Sequence, residues 1–95
     1  MRKRVLHRFC AQFSRDALVA HEDGLSLSRI SFAVRLIALD LFPADRGDPI
    51  GFTPEGHPVY QFDTGGGWEI EFAEEESPDT SQTIIHLLSL RKRLY

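Results

Sequence analysis

The residues best suited to chemistry lie at the end of the sequence, where bases and a tyrosine follow an apolar run. They are Arg91, Lys92, Arg93 and Tyr95. An arginine can stabilise charge that develops on a phosphate, and a tyrosine hydroxyl can act as an acid or base or stack on a nucleobase. The alternative is a solvated basic end that keeps the last strand in solution. The residues alone favour this simpler interpretation.

A second basic cluster opens the chain, at Arg2, Lys3 and Arg4, so the two chain ends could form one positive patch. The overall charge is unfavourable for nucleic-acid binding, which depends on many contacts between Lys or Arg and phosphate. The 95 residues carry 11 Lys or Arg and 14 Asp or Glu, and the net charge is −3. Residues 49–95 hold most of the acids. The composition therefore argues against a general nucleic-acid-binding protein.

Acidic side chains form a further candidate site. Glu69 and Glu71 stand two residues apart in a predicted strand, and Gln61 and Asp63 alternate in the same way in the strand before it. Paired carboxylates can bind a cation or transfer protons. A solvated sheet face is the favoured interpretation of the same pattern. If the face binds a protein, we expect these four residues to form that acidic sheet face.

The spacing of the potential metal ligands in the sequence does not indicate a metal or cofactor site. The four histidines, His7, His21, His57 and His86, show no ligand spacing, and Cys10 is the only cysteine. His7 and His86 lie within predicted strands and are interpreted as hydrogen-bonded residues in or near the core. The glycines at 65–67 join two strands, so they predict a hairpin turn and not a phosphate-binding loop. No metal or cofactor is expected.

The first half of the chain predicts a strand followed by a helix. Residues 3–10 alternate in the manner of a strand. A helix is expected over residues 14–22, with Ser14 as its N-cap and Asp16 in the first turn, where the helix dipole favours an acid. Its apolar side would comprise Phe13, Ala17, Leu18 and Ala20.

The second helix has the clearest pattern. Ser26 or Ser28 is a suitable N-cap, and the helix is expected to reach Leu41 or Phe42 before Pro43 ends it. Apolar residues recur every three or four positions and predict one buried face. They are Leu27, Ile30, Val34, Ile37 and Leu41, with Phe32, Leu36 and Leu39 widening the stripe.

Three strands are predicted after residue 56, at 57–62, 68–73 and 82–90. The acidic run at 74–76 is interpreted as an exposed loop. The expected order is β-α-α-β-β-β, an α+β fold with two helices packed on one face of a mainly antiparallel four-stranded sheet. The length corresponds to a single domain spanning residues 1–95. One cysteine and no apolar run of membrane-spanning length indicate a cytoplasmic protein without membrane association.

The element order and the chain ending resemble the RelE/ParE superfamily of bacterial type II toxin–antitoxin toxins. That family shows one strand, two helices and three strands, and its last strand ends in a Gly-His-Arg-Arg-x-Val-Tyr-like run. A similar run stands at residues 89–95, Ser-Leu-Arg-Lys-Arg-Leu-Tyr, which aligns with the family's run position by position. Pro43 is similar to the family's helix-ending proline. The resemblance implies that Arg91 lies near a scissile phosphate. It also implies that Tyr95 stacks on or helps to activate the cleaved nucleotide.

One strand departs from the family pattern. The family's middle strand reads Tyr-Arg-Val-Ile-Tyr, whereas this chain reads Trp-Glu-Ile-Glu-Phe at 68–72, so Glu69 stands where the family has an important arginine. The resemblance implies a toxin that acts on translation or gyrase and is neutralised by a protein antitoxin. The acidic strand argues against the family's messenger-RNA endoribonuclease activity. The alternative is a non-catalytic protein-interaction module on the same fold, with a homodimer as one form of it.

Overall fold

The computed structural model describes residues 4–39, 48–65, 67–77 and 82–92. In chain order the elements are strand β1 (Arg4–Phe9), helix α1 (Ala11–Glu22), helix α2 (Leu27–Leu39), and strands β2 (Gly51–Phe52), β3 (Pro58–Asp63), β4 (Trp68–Ser77) and β5 (Gln82–Lys92). The predicted α+β class with two helices after the first strand is confirmed. The predicted helix end near Pro43 lies outside the described residues. The Cα radius of gyration, 13.3 Å, is that of one compact domain of this length.

The sheet differs from the prediction in the number and direction of its strands. It has five strands in the order β1-β5-β4-β3-β2, and β1 runs parallel to β5 while the other pairs are antiparallel. The prediction of a mainly antiparallel four-stranded sheet was therefore wrong in detail. The additional strand, β2, pairs only Gly51 with Val59 and Phe52 with Pro58. A two-residue strand leaves no periodicity in the sequence, so it could not be predicted locally.

The acidic run was also assigned to the wrong element. Glu74, Glu75 and Glu76 belong to β4, which continues to Ser77, and they pair with residues 83–85 of β5. Their polarity suggested a loop, but the apolar partner strand β5 supplies the backbone hydrogen-bond partners that make these residues part of a strand. At the other end of the same pairing, Arg91 and Lys92 extend β5 beyond its predicted end at residue 90.

Both helices pack on the face of the sheet to which Trp68, Ile70 and Phe72 point. From the helices this core receives Phe13, Ala20, Ile30, Ala33, Val34 and Ile37, from the connection between them it receives Leu25, and from β5 it receives Ile85, Leu87 and Leu90. We call the opposite side of the sheet, which carries Glu69, Glu71, Ala73 and Glu75, the open face. It is the side that remains for a functional site.

The buried stripe of each helix is narrower than predicted. Leu18 is 65% exposed, Leu27 is 54% exposed and Phe32 is 59% exposed, so their assignment to the buried faces was wrong. Only side chains within a narrow arc of a helix reach a sheet, and residues beside that arc stay in solvent whatever their polarity. Of the two residues considered as the cap of α2, Ser26 and Ser28, Ser26 has this role, because the Arg29 backbone N–H donates to Ser26 Oγ at 3.2 Å.

Helix α1 begins earlier than predicted, and Asp16 therefore does not have the predicted role of an acid in the first turn. The helix begins at Ala11, after the N-cap residue Cys10, so Asp16 lies beyond the first turn. Its Oδ2 atom accepts the backbone N–H of Leu90 at 3.0 Å, and its Oδ1 atom accepts Gln12 Nε2–H at 2.7 Å. Strand β1 ends at Phe9, opposite Leu87, so it cannot pair with the last part of β5. Asp16 therefore replaces a strand at this edge.

We expect Asp16→Ala to lower the free energy of unfolding by about 1–3 kcal/mol, because the Leu90 N–H would lose a charged acceptor in a partly buried position. Urea denaturation followed by circular dichroism measures this change. Glu22→Ala, which removes an exposed acid from the same helix, is the matched control and should change the value by less than about 0.5 kcal/mol. Equal losses in the two variants would contradict the assigned role of Asp16.

Candidate functional site

The end of β5 places Arg91 on the open face among carboxylates. Arg91 is the register partner of Glu69 on β4, and its Nε atom lies 3.8 Å from Glu71 Oε1. The Arg91 side chain is 70% exposed, whereas that of Glu71 is 19% exposed. The sheet therefore brings together the predicted catalytic arginine and the predicted acidic face. Two further predicted site residues, Arg93 and Tyr95, lie outside the described residues.

Lys92 does not share this surface with Arg91. Successive strand residues point to opposite faces, and Lys92 is the register partner of Trp68 on the helix side of the sheet. Its Nζ atom lies 3.2 Å from Asp23 Oδ2 at the end of α1. A cavity of about 450 Å³ lies beside this pair and is also lined by Arg29 and Trp68. The basic run thus divides its charge between the two faces.

Strand β1 begins at Arg4, at the opposite end of the sheet from Arg91. Arg4 is the register partner of Gln82, at the start of β5, whereas Arg91 lies nine residues further along the same strand. At about 3.3 Å per residue, the two positions are about 30 Å apart. Arg2 and Lys3 lie outside the described residues. Within the described part, the sheet does not bring Arg4 and Arg91 into one patch.

The four residues of the predicted acidic face do lie together. Asp63 is the register partner of Glu69, and Gln61 is the register partner of Glu71, on the adjacent strands β3 and β4. Glu71 is held on two sides, because its Oε2 atom accepts the Ser89 hydroxyl at 3.2 Å while Arg91 approaches Oε1. Asp63 Oδ1 accepts the Gly65 backbone N–H at 2.7 Å and so stabilises the hairpin turn. This face is ordered by hydrogen bonds within the sheet.

A second cluster, which the sequence did not reveal, occupies the middle of the open face. Glu75 Oε1 lies 3.0 Å from His86 Nε2 and 3.6 Å from His57 Nε2, and the two imidazole rings are stacked with centroids 6.3 Å apart. The His86 contact is a hydrogen bond, and the His57 contact is an ion pair when that ring is protonated. We call these three residues the His–Glu–His cluster. The three residues are far apart in sequence, and His57 lies in the connection between β2 and β3, so the cluster could be found only from the tertiary structure.

A cavity of about 560 Å³ adjoins the His–Glu–His cluster. Its lining also includes Arg8, Cys10, Thr53, Glu55 and Leu88.

The pKa of the Glu55 carboxyl is lowered from its ordinary value. The largest cause is a hydrogen bond from the Glu55 backbone, and a hydrogen bond from the Thr53 side chain and the charges of His57 and His86 act in the same direction. A carboxylate that fixes an imidazole can support proton transfer. Among the described residues, no three His, Cys, Asp or Glu side chains are placed to hold a metal ion.

The comparisons with known proteins do not assign a family. No protein-family model matches the chain, and no curated protein or solved structure is significantly similar to it. None of the helices in the described part combines the length and apolar character that crossing a bilayer requires. The geometry of the open face, together with the element order and the chain ending, is therefore what bears on function.

We expect Thr53→Ala to raise the pKa of the Glu55 carboxyl, because it removes a hydrogen bond that favours the ionised form. A lowered pKa stabilises the fold above the ordinary glutamate pKa, and this contribution disappears as the pH falls through the lowered value. The variant should therefore lose less stability on acidification than the parent. A carboxyl-detected NMR titration measures the pKa. A Glu55 pKa that stays unchanged would show that Thr53 does not contribute.

Proposed function

We propose that this chain is a toxin-like domain of a type II toxin–antitoxin module, which inhibits translation or gyrase and is neutralised by a protein antitoxin. The observation that carries this proposal is the position of Arg91. It lies exposed on the open face, at the end of the last strand of a strand–helix–helix–sheet chain, where the RelE/ParE resemblance assigns the functional arginine. The same resemblance assigns Tyr95, four residues further on.

We further propose that inhibition does not involve RNA cleavage. Arg91 lies between Glu69, its register partner, and Glu71, whose carboxylate is 3.8 Å away. A phosphate that approached Arg91 would meet two carboxylates, and like charges at such separations repel each other. The arginine is thus better placed to bind a protein surface that offers both an acceptor and a donor than to bind a polyanion.

The alternative function is a non-catalytic protein-interaction module. It is favoured by the ordered row of Gln61, Asp63, Glu69 and Glu71, which offers hydrogen-bond acceptors on one flat surface. Ile50 and Phe52, at the edge formed by β2, add exposed apolar area with 52% and 67% of their residue surfaces accessible. Exposed aromatic and aliphatic side chains rimmed by polar groups are typical of protein interfaces.

Inducible expression in a bacterial host without any partner protein distinguishes the two functions. The toxin-like function predicts that growth slows after induction and that Arg91→Ala and Tyr95→Phe restore it. Arg35→Ala, which removes an exposed arginine from α2, is the matched control and should leave inhibition unchanged. Normal growth at high, soluble expression of the parent chain would contradict the proposal and leave the interaction module as the better account.

The fate of cellular RNA provides a separate test. We expect primer extension on abundant transcripts to show no new cleavage ends while growth is inhibited, because the carboxylates beside Arg91 oppose phosphate binding. The double variant Glu69→Gln, Glu71→Gln keeps the shape of both side chains and removes both charges, so it removes this opposition to phosphate binding. New cleavage ends with the parent chain would show that these acids do not exclude RNA.

A further inference from the structure

Strand β1 is the longer of the two strands at the ends of the sheet order. Strand β1 has six residues and pairs with β5 on one side only, whereas the opposite edge strand, β2, has two residues. Alternate backbone N–H and C=O groups of an edge strand point away from the sheet, so such an edge can pair with a further strand. Within the described part of the chain, no strand takes this place.

The side chains along this edge are apolar and basic. Leu6 is 39% exposed and Phe9 is 54% exposed, and His7 and Arg8 are also exposed. On the helix side, the Phe9 ring lies 6.4 Å from the His7 ring and 5.8 Å from the Phe13 ring. On the open face, Leu6 and Arg8 are the register partners of Ile84 and His86. A further strand would thus meet aromatic rings on one side, and an aliphatic group with a guanidinium on the other.

The sequence around this edge carries charge of one sign, although Arg8 shares the lining of the open-face cavity with Glu55 and Glu75. Residues 1–15 contain five Lys or Arg and no Asp or Glu, although the whole chain has a net charge of −3. Bases on an edge strand oppose pairing between two copies, because like charges would face each other across the new ladder. The same bases favour a strand that carries acids. The edge therefore discriminates between a second copy of this chain and an acidic partner.

We propose that the outer edge of β1 binds an extended, acidic segment of a partner protein as an added strand of the sheet. In such binding, backbone hydrogen bonds between the two strands supply affinity for any extended segment, and contacts of alternate side chains supply specificity. Acids in the segment pair with Arg8 on the open face, and apolar side chains cover Leu6 and Phe9. This surface is independent of the proposed inhibitory activity, so either proposal can fail without the other.

Two capped peptides of eight residues test the proposal on the full chain. One alternates glutamate with valine, and the other has lysine in place of every glutamate. In two-dimensional ¹⁵N NMR titrations up to millimolar peptide, the glutamate peptide should shift the amides of residues 5–9 and slow their hydrogen exchange. The lysine peptide should leave them unchanged.

The matched variants are Arg8→Glu on β1 and Arg35→Glu on α2, which make the same charge change at two exposed positions. Arg8→Glu should weaken binding of the glutamate peptide by about tenfold, because an attractive cross-strand pair becomes a repulsive one. Arg35→Glu should change it by less than about twofold. The proposal is overturned if the glutamate peptide does not bind, if both peptides bind equally, or if the shifts lie elsewhere. It is also overturned if light scattering shows a dimer and the amides of residues 5–9 are already protected from hydrogen exchange without peptide.

Discussion

Strand β5 must have partners on both of its edges, and the rest of the structure depends on how this is achieved. On one edge β4 pairs antiparallel with β5 along its whole length, and on the other β1 pairs parallel with it as far as Leu87. Beyond that point the Asp16 carboxylate of α1 accepts the Leu90 N–H. The same helix buries Phe13 and Ala20 against the sheet, so one helix completes both the hydrogen bonding and the core.

The pairing of β5 with β4 also determines what the C-terminal bases can do. Because successive residues alternate between faces, Arg91 lies among the open-face carboxylates while Lys92 reaches Asp23 on the helix side. The register places Glu69 and Glu71 beside Arg91. An arginine in this setting is oriented by its acidic neighbours, and it presents an ion pair instead of an isolated positive charge. This arrangement is the physical reason to expect protein binding and not RNA cleavage.

The sequence predicted the features that depend on local patterns. The Ser26 cap, the two helices and the alternation of Trp68, Ile70 and Phe72 follow from side-chain chemistry and periodicity. Features that depend on contacts between distant parts of the chain could not be predicted from local patterns. The His–Glu–His cluster arises because the pairing of β4 with β5 brings Glu75 close to His86, and the connection between β2 and β3 brings His57 beside them. Glu75 belongs to a strand only because β5 supplies its partner. Leu18 and Phe32 stay exposed because the sheet is reached by a narrow arc of each helix.

Direct addition of the purified chain to two reconstituted reactions, cell-free translation and gyrase supercoiling, shows whether it inhibits either of them. We expect that one of the two reactions is inhibited, that Arg91→Ala abolishes the inhibition, and that the messenger RNA in the translation reaction stays intact. Full activity of both reactions at an excess of folded protein would contradict it. Inhibition of translation together with fragmented messenger RNA would contradict the role assigned to Glu69 and Glu71 beside Arg91.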